Sequence, residues 1–93
     1  MNKQQLIEVI AQENEITKDM AGRALNTTIR TIIESVKNDD PVVLVGFGTF
    51  RPVQRKGRTV RNPQNGEQIQ LKSRKVPKFI PGTLFKQVVD EAN

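Results

Sequence analysis

Positive charge is concentrated in one stretch of the chain, residues 51–75. This stretch contains eight Lys or Arg and one acidic residue, Glu67, which gives it a net charge of +7. The whole chain carries +5, so the other residues together carry −2. Charge gathered on one segment of an otherwise slightly acidic protein indicates a polyanion held by a specific element, because a generally adhesive surface would spread its charge.

The first candidate contacts to this polyanion are the basic residues of the stretch. They are Arg51, Arg55, Lys56, Arg58, Arg61, Lys72, Arg74 and Lys75. For four lysines elsewhere, a phosphate contact and an ordinary solvated charge are equally open. These are Lys3, Lys18, Lys78 and Lys86, of which Lys3 and Lys86 are included among the candidates.

The residue types that most enzymes use are missing. The chain has no Cys and no His, which removes the usual nucleophile–base pairs, the commonest zinc ligands and any disulfide. Asp39 and Asp40 could suggest a metal site, but no further acid or amide cluster accompanies them, which favours a solvated turn. We therefore expect neither catalysis nor a metal or other cofactor.

The sequence predicts neither a membrane-spanning helix nor a signal peptide. The longest apolar runs are far shorter than the roughly 20 residues that a membrane-spanning helix needs. The N-terminus lacks a signal-peptide hydrophobic stretch, which predicts a cytoplasmic location.

Two helices are predicted before the basic stretch. Asn2 and Gln5 have the spacing of a capping box, and apolar residues then recur with helical period, which predicts a helix over about 3–12. Thr17 can cap a longer second helix that ends before Pro41. Its apolar stripe consists of Ala21, Ala24, Leu25, Thr28, Ile29, Ile32 and Val36.

A β-hairpin follows at residues 42–51, with Gly46-Phe47-Gly48 as its link. Pro52 cannot donate to a ladder, so the strand must be an edge or bulged there. A returning strand is predicted over 76–80, and a last helix should start at Gly82 or Thr83. The order of elements defines an α+β fold with a three-stranded antiparallel sheet.

Residues 53–75 have polar or basic side chains on both faces, so burying either face would cost desolvation free energy. With the turn at residues 62–66, they predict a long two-stranded ribbon whose limb of about ten residues reaches roughly 33 Å. Such a ribbon is marginal by itself, and we expect it to be mobile without ligand. Arg55, Arg58 and Arg61 fall on alternating faces of a flat strand. For all three to contact one DNA groove, the strand must twist, carry a bulge near Gly57, or contact the groove along both edges.

About seventy residues remain for the core, and single cores of that size rarely give more than ~3 to 5 kcal/mol. The apolar surface exceeds what one thin sheet can cover, which predicts pairing of two chains through an isologous interface. The expected dimer core consists of Leu44, Phe47, Phe50, Phe79, Phe85, Ile29 and Ile32.

Three motifs carry a family resemblance. G-F-G-T-F at residues 46–50, R-x-x-R-x-x-R-N-P-x-x-G at 55–66 and V-P-x-F at 76–79 together resemble the bacterial HU and integration host factor family of histone-like DNA-binding proteins, and HU most of all. The resemblance covers essentially the whole chain. It implies an intertwined dimer: residues 1–40 form a helical dimerisation base, 41–52 and 76–81 a sheet saddle, 53–75 an arm that enters the DNA minor groove, and 82–93 the last helix.

The resemblance also implies roles at the tip of the arm. Pro63 would wedge between base pairs and kink the duplex, although from the residues alone a turn residue is the better interpretation. Val60 departs from the family pattern, which has glycine or another small residue before Arg-Asn-Pro. The implied contacts at the tip are Asn62, Pro63, Gln64, Asn65 and Gly66.

The function predicted is therefore that of a nucleoid protein that binds, bends and compacts DNA with little sequence specificity, since the minor groove displays little beyond A·T versus G·C. Bent, nicked or gapped DNA should be favoured. A site-preferring bender of the integration host factor type, an RNA-binding module and a protein whose arm adds a strand to a partner stay open, although the arm lacks the aromatics that stack on RNA bases. The partner chain could be identical or a paralogue.

Overall fold

The computed structural model describes residues 1–91, which fold into three helices and five strands. In chain order they are α1 (Lys3–Asn14), α2 (Lys18–Lys37), β1 (Val42–Leu44), β2 (Gly48–Arg55), β3 (Arg58–Arg61), β4 (Gln68–Leu71), β5 (Arg74–Pro81) and α3 (Thr83–Glu91). This order confirms the α+β class. The chain divides into two compact units, Met1–Glu34 and a second unit that begins at Ser35. The last two residues of the expected final helix lie outside the described residues.

The first unit is organised by the caps that the sequence predicts. The Asn2 side chain accepts from the Gln5 amide, and the Gln5 side chain accepts from the Asn2 amide, both at 2.9 Å, which completes the capping box. α1 continues to Asn14, two residues beyond the predicted end, and Glu15 closes it in the left-handed conformation (φ 52°). The Met20 amide donates to Thr17 Oγ1 at 3.1 Å, so Thr17 caps α2 as expected.

The core of the first unit is small. Ile7, Ala11 and Ala21 are buried together. Three half-buried residues pack against them: Ile10, Ile16 and Leu25.

The second unit contains an antiparallel sheet in the order β1-β2-β5. Its hairpin closes through the predicted glycine link, where the Phe47 amide donates to the Leu44 carbonyl at 2.9 Å and Gly46 has φ 86°. Pro52 lies opposite Pro77, and the register passes through this pair without interruption. The bulge alternative is therefore wrong. Pro52 is tolerated because β1 pairs with β2 only as far as Phe50, which leaves that side of β2 an edge.

One face of this sheet is aromatic. The four phenylalanine rings of the chain lie with centroid separations between 4.8 and 6.2 Å for five of their pairs. They are Phe47, Phe50, Phe79 and Phe85. A cluster of this kind is the natural core of the unit, yet Phe47 is still 44% exposed and Phe79 37%.

α2 ends in a turn held by several backbone hydrogen bonds. Asp39 has φ 61°, and its amide donates to the Val36 carbonyl at 3.0 Å. The Asp40 amide donates to the Ser35 carbonyl at 2.9 Å, while Ser35 Oγ donates to the Asp40 carbonyl at 2.8 Å. Asp39 therefore acts at the helix terminus, where short polar side chains tolerate the left-handed conformation. None of the helices within residues 1–91 is long and apolar enough to cross a membrane.

Candidate nucleic-acid interface

The face of the sheet opposite the phenylalanines is basic. Alternate residues of a strand share a face, and the register sets Arg51 opposite Lys78 and Arg55 opposite Arg74. Like charges directly opposite each other destabilise a strand pair. Two such pairs on one face therefore make a surface that an anion would stabilise. Lys78 had been left open by the sequence, and the register with Arg51 is what assigns it to this face.

The ribbon is not continuous. β2 and β5 remain paired as far as Arg55 and Arg74, beyond the expected limit of the saddle. Residues 56–57 and 72–73 then leave the strands, and pairing resumes in a separate two-stranded sheet of β3 and β4. Two residues are unpaired on each side, so the register is unchanged. The bulge proposed near Gly57 is thus wrong, because a bulge requires unequal numbers of residues on the two strands.

The break brings the two limbs very close. A Cβ on Gly57 would lie 2.6 Å from the Leu71 carbonyl oxygen and 3.1 Å from the Ser73 nitrogen. Only a glycine fits this approach without backbone movement. Beside it, Gln54 Nε2 donates to Ser73 Oγ at 2.7 Å, which ties the limbs together just below the break.

A basic concavity of about 650 Å³ surrounds this break. Five of its six lining residues are cationic, and none is acidic. They are Arg55, Lys56, Arg58, Leu71, Lys72 and Arg74. The structure thus brings together most of the basic residues singled out from the sequence.

Beyond the break, β3 and β4 form the outer arm. Arg58 lies opposite Leu71 and Arg61 opposite Gln68, and the three-residue spacing places these arginines on opposite faces as predicted. Val60 pairs with Ile69, so the residue that departs from the family pattern has an apolar partner within the arm.

The tip, Asn62–Glu67, is closed by local hydrogen bonds. The Asn62 amide donates to the Glu67 carbonyl at 2.7 Å, and the Gly66 amide donates to the Asn62 carbonyl at 2.8 Å. Asn62 Oδ1 also accepts from the Gln64 amide at 2.9 Å. Gly66 has φ 74°, which favours glycine. Asn62 therefore shapes the turn, and Pro63 lies exposed within it.

Lys75 differs from the other arm cations. Its Nζ donates to the carbonyl oxygen of Lys37 at 2.8 Å and to Asp39 Oδ1 at 3.1 Å. The ammonium group thus lies at the negative end of α2, where a cation is favoured. The sequence predicts Lys75 as an anion contact from its charge alone, which does not reveal a partner 36 residues away.

The other three candidate lysines outside the arm, Lys3, Lys18 and Lys86, occupy ordinary surface positions. Lys3 begins α1 and Lys86 lies on α3, and both are exposed. Lys18 Nζ lies 3.9 Å from Glu8 Oε1, an exposed ion pair of little energetic weight. These positions leave the arm as the centre of positive charge.

Together, these features define a class of protein: an α+β polyanion-binding protein whose basic arm continues from strands β2 and β5 of a sheet. Comparison with known proteins identifies the family. The bacterial DNA-binding protein family matches residues 1–90, and the chain belongs to it. The family consists of DNA-binding proteins rather than enzymes.

Curated relatives match over nearly full length. The chain is 50% identical over 90 residues to DNA-binding protein HU-beta of Salmonella typhimurium, which covers 97% of this chain and 100% of the relative. It is 48% identical over 89 residues to HU-alpha of Escherichia coli, with 96% and 99% covered.

Solved structures agree with these relatives. A cocrystal structure of Anabaena HU with DNA matches with a TM-score of 0.88 and 40% identity, covering 96% of this chain and 97% of that one. HU from Thermotoga maritima matches with a TM-score of 0.69 and 30% identity, covering 96% and 98%. The resemblance seen in the sequence motifs is therefore confirmed.

Proposed function

We propose that this protein is an HU-type architectural protein that binds duplex DNA with little sequence specificity and bends and compacts it. The observation that carries the proposal is the arm itself. Its root opposes Arg51 to Lys78 and Arg55 to Arg74, and the second of these pairs lines the concavity together with three more cations, Lys56, Arg58 and Lys72. Such an arrangement costs stability in the free protein and is relieved by a row of phosphates.

The proposed mechanism begins with the exchange of condensed counterions for Lys and Arg along the arm. The outer arm then enters the minor groove, and Pro63 at the exposed tip inserts between base pairs and kinks the duplex, the mode for which HU and integration host factor are known examples. Because shape and deformability dominate such binding, bent, nicked or gapped DNA should be preferred. The nucleoid in the cytoplasm is the corresponding location.

The proposal includes a dimer. Among residues 1–91 the buried hydrophobic residues are only Ile7, Ala11, Ala21 and Val36, and no side chain larger than alanine is fully buried. Several residues of the expected dimer core are more than one-third exposed. These are Ile29, Leu44, Phe47 and Phe79. A second chain would remove this apolar surface from water and so stabilise both.

The dimer is tested by sedimentation equilibrium and by the mass of the crosslinked species. We expect twice the chain mass at micromolar concentrations. Unfolding midpoints should also rise with protein concentration, as mass action requires. A folded monomer with a concentration-independent midpoint would contradict the dimer.

DNA binding is tested by a gel shift at several salt concentrations with a linear duplex, a gapped duplex and RNA of the same sequence. We expect the gapped duplex to bind most tightly and log K to fall steeply with log salt, by about 0.9 per neutralised phosphate. Arg58→Gln should flatten this dependence, whereas Arg23→Gln, which removes the same charge from an exposed position of α2, should not.

The competing functions predict different binding behaviour. Equal or tighter binding of RNA would favour an RNA-binding module, which the arm disfavours because it contains no aromatic residue. Binding of a protein partner that survives high salt would favour addition of a strand to that partner. A strong preference for one duplex sequence would favour a site-preferring bender.

A further inference from the structure

We propose that Asn65 is a site of spontaneous deamidation, and that its conversion to aspartate or isoaspartate lowers the affinity of the arm for DNA. Asn65 is followed by glycine, and no other asparagine of the chain is. Both residues are exposed at the tip. The consequence for DNA rests on the proposed function, while the reaction itself does not.

The reaction is an attack of the Gly66 backbone nitrogen on the Asn65 side-chain carbonyl carbon. The bond from Cγ to Nδ2 breaks, the nitrogen leaves as ammonia, and the proton lost from the Gly66 amide completes it. Water then opens the resulting succinimide at either carbonyl, which gives aspartate or isoaspartate. The only co-reactant is water, and no change of oxidation state is involved.

The geometry of the tip favours this step at Asn65. Gly66 has no side chain to shield its nitrogen, and a Cβ built there would meet no atom within 4 Å. The Glu67 amide donates to Asn65 Oδ1 at 2.9 Å. This hydrogen bond holds the side-chain carbonyl against its own backbone and polarises it toward attack.

One contact opposes the reaction. The Gly66 amide donates to the Asn62 carbonyl at 2.8 Å, and this bond must open before the nitrogen can attack. The tip is exposed and belongs to a two-stranded sheet, so opening should be frequent in the free protein. DNA held against the tip should suppress it.

The neighbouring asparagine provides an internal comparison. Asn62 lies in the same turn but precedes Pro63, whose nitrogen carries no hydrogen and cannot form the succinimide. Asn14, Asn26 and Asn38 precede residues with side chains that crowd the attacking nitrogen. The structure thus assigns the modification to one of the two asparagines of the tip.

The product changes the arm in two ways. Either product adds a negative charge beside Pro63, in a segment that otherwise has a single acidic residue. Isoaspartate also lengthens the backbone between Asn62 and Glu67, whose hydrogen bond closes the tip. If the new charge cancels one neutralised phosphate and the two affinities converge at about 1 M salt, affinity at 0.1 M salt falls by about 8-fold per modified arm, since log K changes by ~0.9 per contact and decade of salt.

The test incubates the full-length protein at mildly alkaline pH with and without excess duplex DNA and maps its peptides by mass spectrometry. We expect a gain of about 1 Da at Asn65 from replacement of the amide by a carboxyl group, faster than at any other asparagine and slowed by DNA. Isoaspartyl methyltransferase should label the same peptide. Asn65→Gln should yield no such product, because a six-membered ring closes far less readily.

The effect on binding is measured separately with Asn65→Asp, whose carboxylate can still accept from the Glu67 amide. We expect weaker binding with a flatter salt dependence. Conversion at Asn65 no faster than at Asn14 or Asn38 would overturn the site. Rapid conversion with unchanged affinity of both the aged protein and Asn65→Asp would overturn its role, whereas absence of salt-dependent DNA binding by the unmodified protein would overturn the proposed function instead.

Discussion

Lys75→Met separates a structural cation from a DNA contact. Methionine keeps the apolar stem and removes the ammonium group that contacts Lys37 and Asp39. The ion pair is partly exposed, with side-chain exposures of 39% for Lys75 and 69% for Asp39, so it should contribute about 0.2–1 kcal/mol. The interaction with the C-terminal end of α2 adds about 0.3–1 kcal/mol.

We therefore expect Lys75→Met to lower the free energy of unfolding by about 1 kcal/mol. In urea this corresponds to a midpoint lower by roughly 0.3–1 M, for slopes of about 1–3 kcal/mol/M. Unfolding must be compared at one protein concentration, because the proposed dimer would be stabilised by mass action. Asp39→Asn supplies the second variant of a double-mutant cycle, which isolates the pair itself.

The neighbouring residue provides the matched control. Arg74 lies on the opposite, basic face of the same strand, across from Arg55. Arg74→Met should flatten the salt dependence of DNA binding, by about 0.9 per lost phosphate contact, and should preserve stability or raise it by relieving repulsion. Lys75→Met should lower stability and leave the salt dependence of DNA binding unchanged. If Lys75→Met instead flattened the salt dependence as much as Arg74→Met and left stability unchanged, Lys75 would be a phosphate contact and this reasoning would be refuted.

Three further predictions concern the arm. Gly57→Ala should force the limbs apart at the Leu71 carbonyl, 2.6 Å from the new Cβ, and weaken DNA binding while the thermal midpoint changes little; unaltered affinity would contradict this. Pro63→Ala should reduce the bend angle, measured by energy transfer between duplex ends, more than the affinity for gapped DNA, and an unchanged bend would make Pro63 a turn residue only. Amides of residues 58–69 should exchange faster than those of α2 without DNA and slow upon binding; equal protection in the free protein would disprove mobility.

Local patterns were sufficient for most of the framework. The capping box of Asn2 and Gln5, the Thr17 cap and the glycine-bracketed hairpin each depend on residues within a few positions of one another. Their hydrogen bonds can therefore be inferred from spacing alone. The start of α3 at Thr83 is one of the two starts, Gly82 and Thr83, that the sequence left open.

The features that could not be predicted from the sequence depend on which residues pair across the strands. The break at residues 56–57 and 72–73 retains equal numbers of residues on both limbs, which becomes evident only when the partners of Arg55 and Arg58 are known. The same knowledge assigns Lys78 to the basic face. The contacts of Lys75 were missed for a related reason, since its partners at the end of α2 are distant in sequence.

We infer that repulsion between the opposed cations at the root contributes to the break in the arm. A continuous ribbon through residues 56–57 and 72–73 would place Lys56 opposite Ser73 and Gly57 opposite Lys72 in the existing register, adding charge to a ladder that already carries Arg55 against Arg74. Interrupting the pairing lets these side chains spread around a concavity and lowers their repulsion. The interruption also separates the root, where Gln54 donates to Ser73, from an outer arm whose two strands pair only with each other. We therefore expect the outer arm to reorient when DNA binds while the root stays paired within the sheet.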